Sequence, residues 1–287
     1  LQDAEISYRK AIELNPNYAD AHLNLGNVLR DLGKLKDAEI FIRKAIELNP
    51  NLAPAYFSLS TLKISNQNQV WRDKLFSRNL LDNKSIEDKV DIYFARANIY
   101  HSESNFKESS KYLVLANNLK QNLRPSNFEY LLTQSKELML ESNKKFVDEN
   151  EKKPFPENIF IVGMPRSGST LLESIISMNN NVDDLGEKNI LEESFLNWKH
   201  TAQKLTLAEL YLSQINLYRT GLRTTTNKWL YNYIYVGIIC SLIPNAKIIH
   251  TYRNPLDNIL SIYRANFTKG NEYSSCLVDC AKVYLDQ

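Results

Sequence analysis

Cysteine, net charge and long apolar runs are all scarce in this sequence of 287 residues, and each scarcity argues against a class of protein. Three cysteines (Cys240, Cys276 and Cys280) are too few for a disulfide-stabilised domain and favour a reducing, cytoplasmic compartment. The net charge of +2 predicts no nucleic-acid partner. No apolar run approaches the roughly 18 residues of a membrane-spanning helix, so we expect no membrane partner.

The cysteine pattern also argues against a metal site. Cys276 and Cys280 are four residues apart on a predicted helix, with no histidine or further cysteine clustered nearby. A structural metal needs about four ligands, which this pattern does not supply. We therefore expect no metal and interpret the two cysteines as small core residues.

The N-terminal part of the chain contains an internal repeat. Arg9-Lys-Ala-Ile-Glu-Leu-Asn-Pro-Asn17 recurs as Arg43-Lys-Ala-Ile-Glu-Leu-Asn-Pro-Asn51, an offset of 34 residues. A 34-residue period is typical of tetratricopeptide repeats, in which small residues allow two antiparallel helices to pack closely and a proline ends the second helix. In the complete copy these positions are held by Leu25-Gly26, Ala38, Ala45 and Pro50.

Two further repeats are degenerate. One begins near Ala53 and runs through Trp71, and the other pairs residues 93–100 with 106–116, where Ser109 takes an alanine position. Together the repeats predict a helical solenoid over residues 1–122. Such an array holds a peptide or packs on another domain. The alternative is that the repeats only support the next domain or mediate homodimerisation.

The rest of the chain is predicted to change fold class. Residues 123–153 are expected to form a capping helix and then a linker, because Lys152-Lys-Pro-Phe-Pro156 favours extended backbone. Residues 154–287 alternate strands with helices, which predicts a parallel sheet with its ligand site at the carboxyl ends of the strands. The predicted fold class is therefore α plus α/β.

One strand–loop–helix stretch carries the strongest chemical signal. An apolar run ends in a glycine-rich turn that leads into a helix starting with Ser169 and Thr170, an arrangement typical of a phosphate cradle. Gly163 and Gly168 have the spacing of a P-loop, but Ser169 stands where a P-loop has its lysine. Arg166 supplies the positive charge inside the loop, so we expect an anion other than the tail of ATP.

Two more cations follow predicted strands. Lys228 lies at the end of the threonine-rich strand that begins at Thr224, and Arg253 follows the apolar strand Ala246–Tyr252, which we expect to be buried with His250 in the core. The carboxyl ends of parallel strands lie at one edge of a sheet. We therefore expect Arg166, Lys228 and Arg253 to converge there.

These motifs resemble those of the sulfotransferases that use 3′-phosphoadenosine 5′-phosphosulfate. The loop 163–170 is similar to their 5′-phosphosulfate loop, and 248–261 is similar to their 3′-phosphate motif, with an arginine and a serine eight residues apart. The branch most like this chain is the bacterial tetratricopeptide–sulfotransferase proteins, which are related to the protein-tyrosine sulfotransferases. The resemblance implies these donor-binding residues: Arg166, Ser167, Gly168, Ser169, Thr170, Arg253 and Ser261.

The resemblance also implies a catalytic set. Glu187 is expected to be the base that activates a hydroxyl acceptor, with Asp184 and Glu192 as rival carboxylates. Lys228 is expected to neutralise the bridging oxygen as the bond to sulfur breaks, alongside Arg166. The acceptor is left open between a protein tyrosine, a glycan and a small molecule, and the repeat groove is a candidate holder for a peptide acceptor.

Several alternatives stay open at this point. Arg253 could instead form a structural ion pair with Asp257, and the aromatic residues Trp229, Tyr231 and Tyr233 fit an acceptor pocket or core packing equally well. The chain could be another P-loop transferase such as a nucleotide kinase, or a repeat scaffold with a non-catalytic nucleotide fold. Family domains continue beyond the last motif, so we expect a fragment whose sulfotransferase domain is truncated at its C-terminus.

Overall fold

The computed structural model describes residues 1–62, 69–143, 155–200, 205–218, 223–267 and 269–287. The chain divides into two compact units, Leu1–Pro125 with Asn266–Cys276 and Ser126–Ala265 with Leu277–Gln287. Most of the predicted linker lies outside the described residues. The predicted boundaries at 1–122, 123–153 and 154–287 stay a proposal.

The first unit is built from paired helices. A complete tetratricopeptide repeat is formed by α2 and α3, and Leu25, Ala38 and Ala45 are fully buried there, as the sequence predicts. A Cβ on Gly26 would lie 2.5 Å from Ile42 Cγ1, so the two helices approach too closely for a side chain at that position. The helices of this unit are α1 (Gln2–Leu14), α2 (Ala19–Asp31), α3 (Leu35–Leu48), α4 (Ala53–Thr61), α5 (Gln69–Phe76), α6 (Ile86–Ser102) and α7 (Phe106–Leu123).

Only one of the degenerate repeats keeps the same pairing: α6 packs against α7, whereas α4 packs mainly against α6 and not against α5. The predicted unit at 53–71 corresponds to α4 and α5, and the one at 93–116 to α6 and α7. Ser109 is buried and its Oγ donates a hydrogen bond of 2.8 Å to the carbonyl of Ala97, which joins α7 to α6. A hydroxyl is therefore tolerated at the alanine position because its hydrogen bond is satisfied.

A later segment of the chain completes the first unit. Residues 266–276 contain the short 3₁₀ helix Glu272–Ser275, in which Tyr273 and Ser274 are fully buried. Asn266 Nδ2 donates a hydrogen bond of 2.8 Å to Asp91 Oδ1 on α6. The first unit is therefore not continuous in sequence.

The second unit contains a four-stranded sheet in the order β2-β3-β1-β4, with every neighbouring pair parallel. Its strands are β1 (Asn158–Gly163), β2 (Val182–Asp184), β3 (Thr224–Asn227) and β4 (Ala246–Thr251). Its helices are α8 (Phe128–Ser142), α9 (Ser169–Ile176), α10 (Ile190–His200), α11 (Leu207–Ile215), α12 (Val236–Leu242), α13 (Pro255–Tyr263) and α14 (Leu277–Asp286). The parallel α/β architecture confirms the predicted fold class of this part of the chain.

The prediction that β4 is buried is wrong. β4 lies at an edge of the described sheet, and its residues are half-buried or exposed. His250 is exposed rather than packed in the core. An apolar run alone does not distinguish a central strand from an edge strand, because both need one apolar face.

Two further observations bear on the sequence predictions. Among the described residues, no helix is both long and apolar enough to cross a membrane.

Cys280 is buried within α14, as predicted, whereas Cys276 precedes that helix and is half-buried, and Cys240 is exposed.

Candidate active site

The loop after β1 is held in an unusual backbone conformation. Gly163 has φ of +137° and Gly168 has φ of +97°, values that favour glycine. Between them Arg166, which is not a glycine, also has a positive φ of +68°. Gly168 then caps α9 and has no side chain to offer the first amides of that helix. These amides and the helix dipole favour an anion at this end.

Ser167 anchors the loop to the neighbouring strand. Its Oγ lies 2.7 Å from the carbonyl oxygen of Met164 and 2.8 Å from Thr251 Oγ1 at the end of β4, and Thr251 Oγ1 lies 3.1 Å from the carbonyl oxygen of Val162. Each hydroxyl has one proton to donate, so two of these three contacts are hydrogen bonds at any one time. The Ser167 hydroxyl is thus engaged within the protein, which leaves its backbone amide as the group that could contact an anion.

The two predicted donor motifs meet through Arg166. Its Nε donates a hydrogen bond of 3.2 Å to Ser261 Oγ on α13, although the two residues are 95 apart in sequence. A second link comes from the buried Asn258, whose Nδ2 donates to the carbonyl of Pro165 at 3.0 Å. Both contacts hold α13 against the loop.

Arg253 lies at the carboxyl end of β4 with an exposed side chain. Within the described residues no salt bridge joins it to Asp257, so the alternative of a structural ion pair is not supported. The Asn254 side chain accepts hydrogen bonds from the amides of Leu256 and Asp257 and caps α13. The Arg253 carbonyl accepts a hydrogen bond of 2.7 Å from the Tyr284 hydroxyl. The backbone of Arg253 is therefore fixed while its guanidinium is exposed.

Lys228 is buried directly after β3 and lies between two carboxylates. Its Nζ donates to Glu187 Oε1 at 2.5 Å and lies 3.8 Å from Glu173 Oε2. The Lys228 side chain is 5% exposed, whereas that of Glu187 is 61% exposed. Of the residues predicted as base candidates, Glu187 is therefore the one in contact with Lys228. The rival Glu192 instead accepts a hydrogen bond of 2.6 Å from Asn189 Nδ2.

Comparison with known proteins bears on these motifs. A family model described as "Sulfotransferase domain" matches residues 156–277, and one described as "Tetratricopeptide repeat" matches residues 19–52. The chain joins a tetratricopeptide repeat to a sulfotransferase domain. It is also 32% identical to an uncharacterized protein of Aquifex aeolicus (strain VF5), over 40% of this chain. In that match the chain spans 18% of the length of the relative.

Within the sulfotransferase domain, sequence reasoning missed Glu173. This residue lies on α9, its side chain is 8% exposed, and its Oε1 accepts a hydrogen bond of 3.1 Å from Thr226 Oγ1. Burial raises the pKa of Glu173, while the nearby charge of Lys228 opposes that shift. The signal in the sequence was a charged residue within the apolar helix stretch Leu171-Leu172-Glu173-Ser174-Ile175.

Sequence reasoning also missed Arg264, which follows α13 one turn after Ser261. Burial, and then the positive charge of Arg166, lowers the pKa of Arg264. The edge of the sulfotransferase domain that carries Arg166 therefore has more positive charge than the two motifs alone predict. Concentrated positive charge of this kind favours a multiply charged anion.

The other predicted donor-loop residues differ in exposure. Ser169, the first residue of α9, is buried, and Thr170 beside it is exposed. Because both lie in the first turn of the helix, they present backbone amides at the positive end of its dipole.

The aromatic residues after Lys228 do not act as one group. Trp229 and Tyr231 have ring centroids 5.8 Å apart. Tyr233 packs against the core, and its hydroxyl donates a hydrogen bond of 3.1 Å to Asp286 Oδ2. Burial raises the pKa of Tyr233. Tyr233 therefore fits core packing better, while Trp229 and Tyr231 stay candidates for the acceptor side.

No group of three or more His, Cys, Asp or Glu side chains in the described part of the chain is placed to hold a metal ion.

Proposed function

We propose that this chain transfers a sulfonate group from 3′-phosphoadenosine 5′-phosphosulfate to a hydroxyl acceptor. The observation that carries the proposal is the hydrogen bond from Arg166 to Ser261, which joins the loop after β1 to α13. A donor with two separate anionic groups needs two neighbouring anion sites, and this contact makes the two motifs neighbours. The sulfotransferase domain over 156–277 supports a sulfotransferase function in general.

The residues present suit the two ends of this donor. In our proposal the amides at Gly168, Ser169 and Thr170 and the guanidinium of Arg166 hold the phosphosulfate, because helix N-termini and arginine both favour such anions. Arg253 offers a planar fork to the 3′-phosphate, and Ser261 adds a hydroxyl.

The proposed reaction is an in-line displacement at sulfur. Glu187 takes the proton from the acceptor hydroxyl, whose oxygen forms a bond to sulfur. The bond between sulfur and the bridging oxygen breaks, and its electron pair stays on the 5′-phosphate oxygen. Lys228 neutralises that developing charge. Positioning and charge stabilisation supply most of the rate enhancement in phosphoryl transfer, and we apply the same reasoning here.

The acceptor is proposed to be a hydroxyl of a protein tyrosine, a glycan or a small molecule. The tetratricopeptide repeat over 19–52 is typical of protein–protein interaction. A peptide or protein acceptor held by the repeats would therefore use both parts of the chain.

Donor class is tested by calorimetric titration with 3′,5′-adenosine bisphosphate and, separately, with ATP and Mg²⁺. We expect selective binding of the bisphosphate. Arg253→Ala should weaken it by about 10- to 100-fold, since a hydrogen bond to a charged group contributes about 1.5–3 kcal/mol. The matched control is Arg223→Ala, an exposed arginine that precedes β3 and lies 3.5 Å from Asp183, and it should bind like the wild type. Preference for ATP would exclude this donor and favour the kinase alternative.

The base is tested by measuring turnover of Glu187→Gln. Removing a general base lowers the rate by about 10²- to 10⁴-fold, so we expect turnover to fall in that range while affinity for the bisphosphate is retained. Glu193→Gln on α10 is the matched control, since Glu193 lies in the first turn of that helix and outside the proposed site. Wild-type binding of the bisphosphate without turnover of any acceptor would favour the non-catalytic scaffold.

A further inference from the structure

A buried carboxylate lies beside the pair that the proposed reaction uses. Glu173 and Lys228 are 8% and 5% exposed, and Glu173 Oε2 lies 3.8 Å from Lys228 Nζ. Thr226, two residues before Lys228 on the chain, donates from Oγ1 to the other oxygen, Oε1, at 3.1 Å. Glu173 is thus oriented by one neighbour and directs its second oxygen towards Lys228.

The two carboxylates around Lys228 differ in their freedom to move. Glu187 is 61% exposed and can turn away from the ammonium at little cost. Glu173 is enclosed by its own helix and by β3, so it cannot. Removing one partner of a buried ion pair leaves an uncompensated charge and is strongly destabilising. If Glu187 moves away from Lys228 and accepts a proton, the ammonium of Lys228 needs another carboxylate that remains beside it as a counter-charge.

We propose that Glu173 is a positioning residue that holds Lys228 at the carboxyl end of β3 while Glu187 takes the acceptor proton. This proposal rests on the proposed function. No proton moves to or from Glu173 in this scheme. Glu187 becomes protonated, Lys228 stays an ammonium beside the departing 5′-phosphate oxygen, and Glu173 supplies its counter-charge throughout.

The electrostatic surroundings of Glu173 are consistent with this role. The charged groups that act on it are Lys228 on one side and Asp184 and Glu187 on the other. Burial raises the pKa of Glu173 and the ammonium of Lys228 opposes that rise, so the ionised carboxylate of Glu173 depends on Lys228.

The first test is the kinetics of Glu173→Gln, which keeps the size of the side chain and removes its charge. We expect kcat to fall by about tenfold or more, with little change in the KM for the donor or in bisphosphate affinity, because only the step that uses Lys228 is affected. Thr226→Val should give a smaller fall in kcat. An unchanged kcat in Glu173→Gln would overturn the proposal.

A second measurement does not depend on turnover. Lysine methylation followed by mass spectrometry reports how accessible each ammonium is. Lys228 should be protected in the wild type and labelled about tenfold faster in Glu173→Gln, a ratio equivalent to about 1.4 kcal/mol. Lys199, which is 40% exposed, should be labelled equally in both proteins.

The kinetics and the labelling of Lys228 together distinguish a failure of the proposed function from a failure of the proposed role of Glu173. If the wild type neither binds the bisphosphate nor turns over, the proposed function fails, and the labelling rate of Lys228 still decides whether Glu173 holds it. If Glu173→Gln does not fold, Thr226→Val replaces it. Unchanged labelling of Lys228 in the folded variant would overturn the role of Glu173.

Discussion

Gly163 is the residue at which the loop after β1 meets the neighbouring strand. A Cβ at this position would overlap the carbonyl oxygen of Thr251 on β4, and the backbone φ of +137° is one that other residues rarely adopt. Both constraints act at once because β1 and β4 pair up to Gly163 and Thr251. The glycine therefore permits the close approach that starts the loop.

Replacement of Gly163 by alanine should destabilise the second unit strongly. We expect a loss of more than about 3 kcal/mol, because overlap with a paired strand adds to a left-handed conformation that itself costs about 1–2 kcal/mol. The matched control is Gly186→Ala, where φ is also positive at +62° but no atom lies within 4 Å of a new Cβ. Urea unfolding of both variants measures the difference. Equal losses would show that backbone strain, and not the contact with Thr251, is what requires glycine.

Residue identity alone could not reveal how the charged side chains pair. Glu187 and Lys228 were both singled out from the sequence, but their contact of 2.5 Å joins residues that are 41 apart. Glu173 was missed because a single glutamate on an apolar helix is normally exposed. Only the position of β3 against α9 shows that this glutamate is buried beside Lys228.

At the scale of elements, the repeat could be predicted from the sequence and its closest contact could not. The 34-residue offset and the small residues are sufficient to predict the α2–α3 pair. They do not tell which side chain occupies the space above Gly26. In the structure it is Ile42, and the carbonyl oxygen of Ala38 would also lie 3.1 Å from a Cβ on Gly26.

Gly26→Ala should destabilise the first unit despite the better helix propensity of alanine. Overpacking of a filled interface costs about 1–3 kcal/mol, which outweighs the roughly 0.5–1 kcal/mol that alanine gains over glycine in a helix. In the Ile42→Ala background the loss should be smaller, because the overlapping atoms of Ile42 are gone and only the Ala38 carbonyl oxygen stays close, at 3.1 Å. Far-UV circular dichroism during urea unfolding of the four proteins tests this. Equal effects of Gly26→Ala in both backgrounds would contradict it.

For the sheet, the places of the strands along the chain could be predicted from the sequence, but their order in the sheet could not. The three predicted strands form a parallel sheet together with β2, and the cations follow the carboxyl ends of β1, β3 and β4 as expected. The order of the strands was not predictable, because an apolar run of six residues suits either a central or an edge position. This is why the burial of His250 was predicted wrongly.

At the scale of the whole molecule, the first unit depends on residues far along the chain. Asp91 on α6 accepts a hydrogen bond from Asn266, and burial raises the pKa of Asp91 to about 6 from an ordinary value of 3.8. In the window between these two values the folded protein binds more protons at Asp91 than the unfolded chain does. Stability therefore falls as the pH rises through this window, and the loss persists above it.

Asp91→Asn should remove this penalty, because an asparagine has no charge to bury and can still accept a hydrogen bond from Asn266. We expect the variant to be more stable than the wild type by about 1–3 kcal/mol at neutral pH and similar to it near pH 4. The control is Asp82→Asn, an exposed carboxyl before α6, which should show no such gain. Urea midpoints at the two pH values provide the measurement. A gain of equal size at both values would show that it does not come from the titration of Asp91.

Residue order was enough to predict the helical repeat, the strand–loop–helix with its glycines, and the strand ends at which the cations lie. These features depend on local periodicity and on backbone conformations that few residues adopt, and both can be read along the chain. The tertiary structure alone decided that Arg166 meets Ser261, that Lys228 lies between Glu173 and Glu187, and that 266–276 completes the first unit. The physical reason is that periodicity shows which face of an element is apolar but not which other element will cover it.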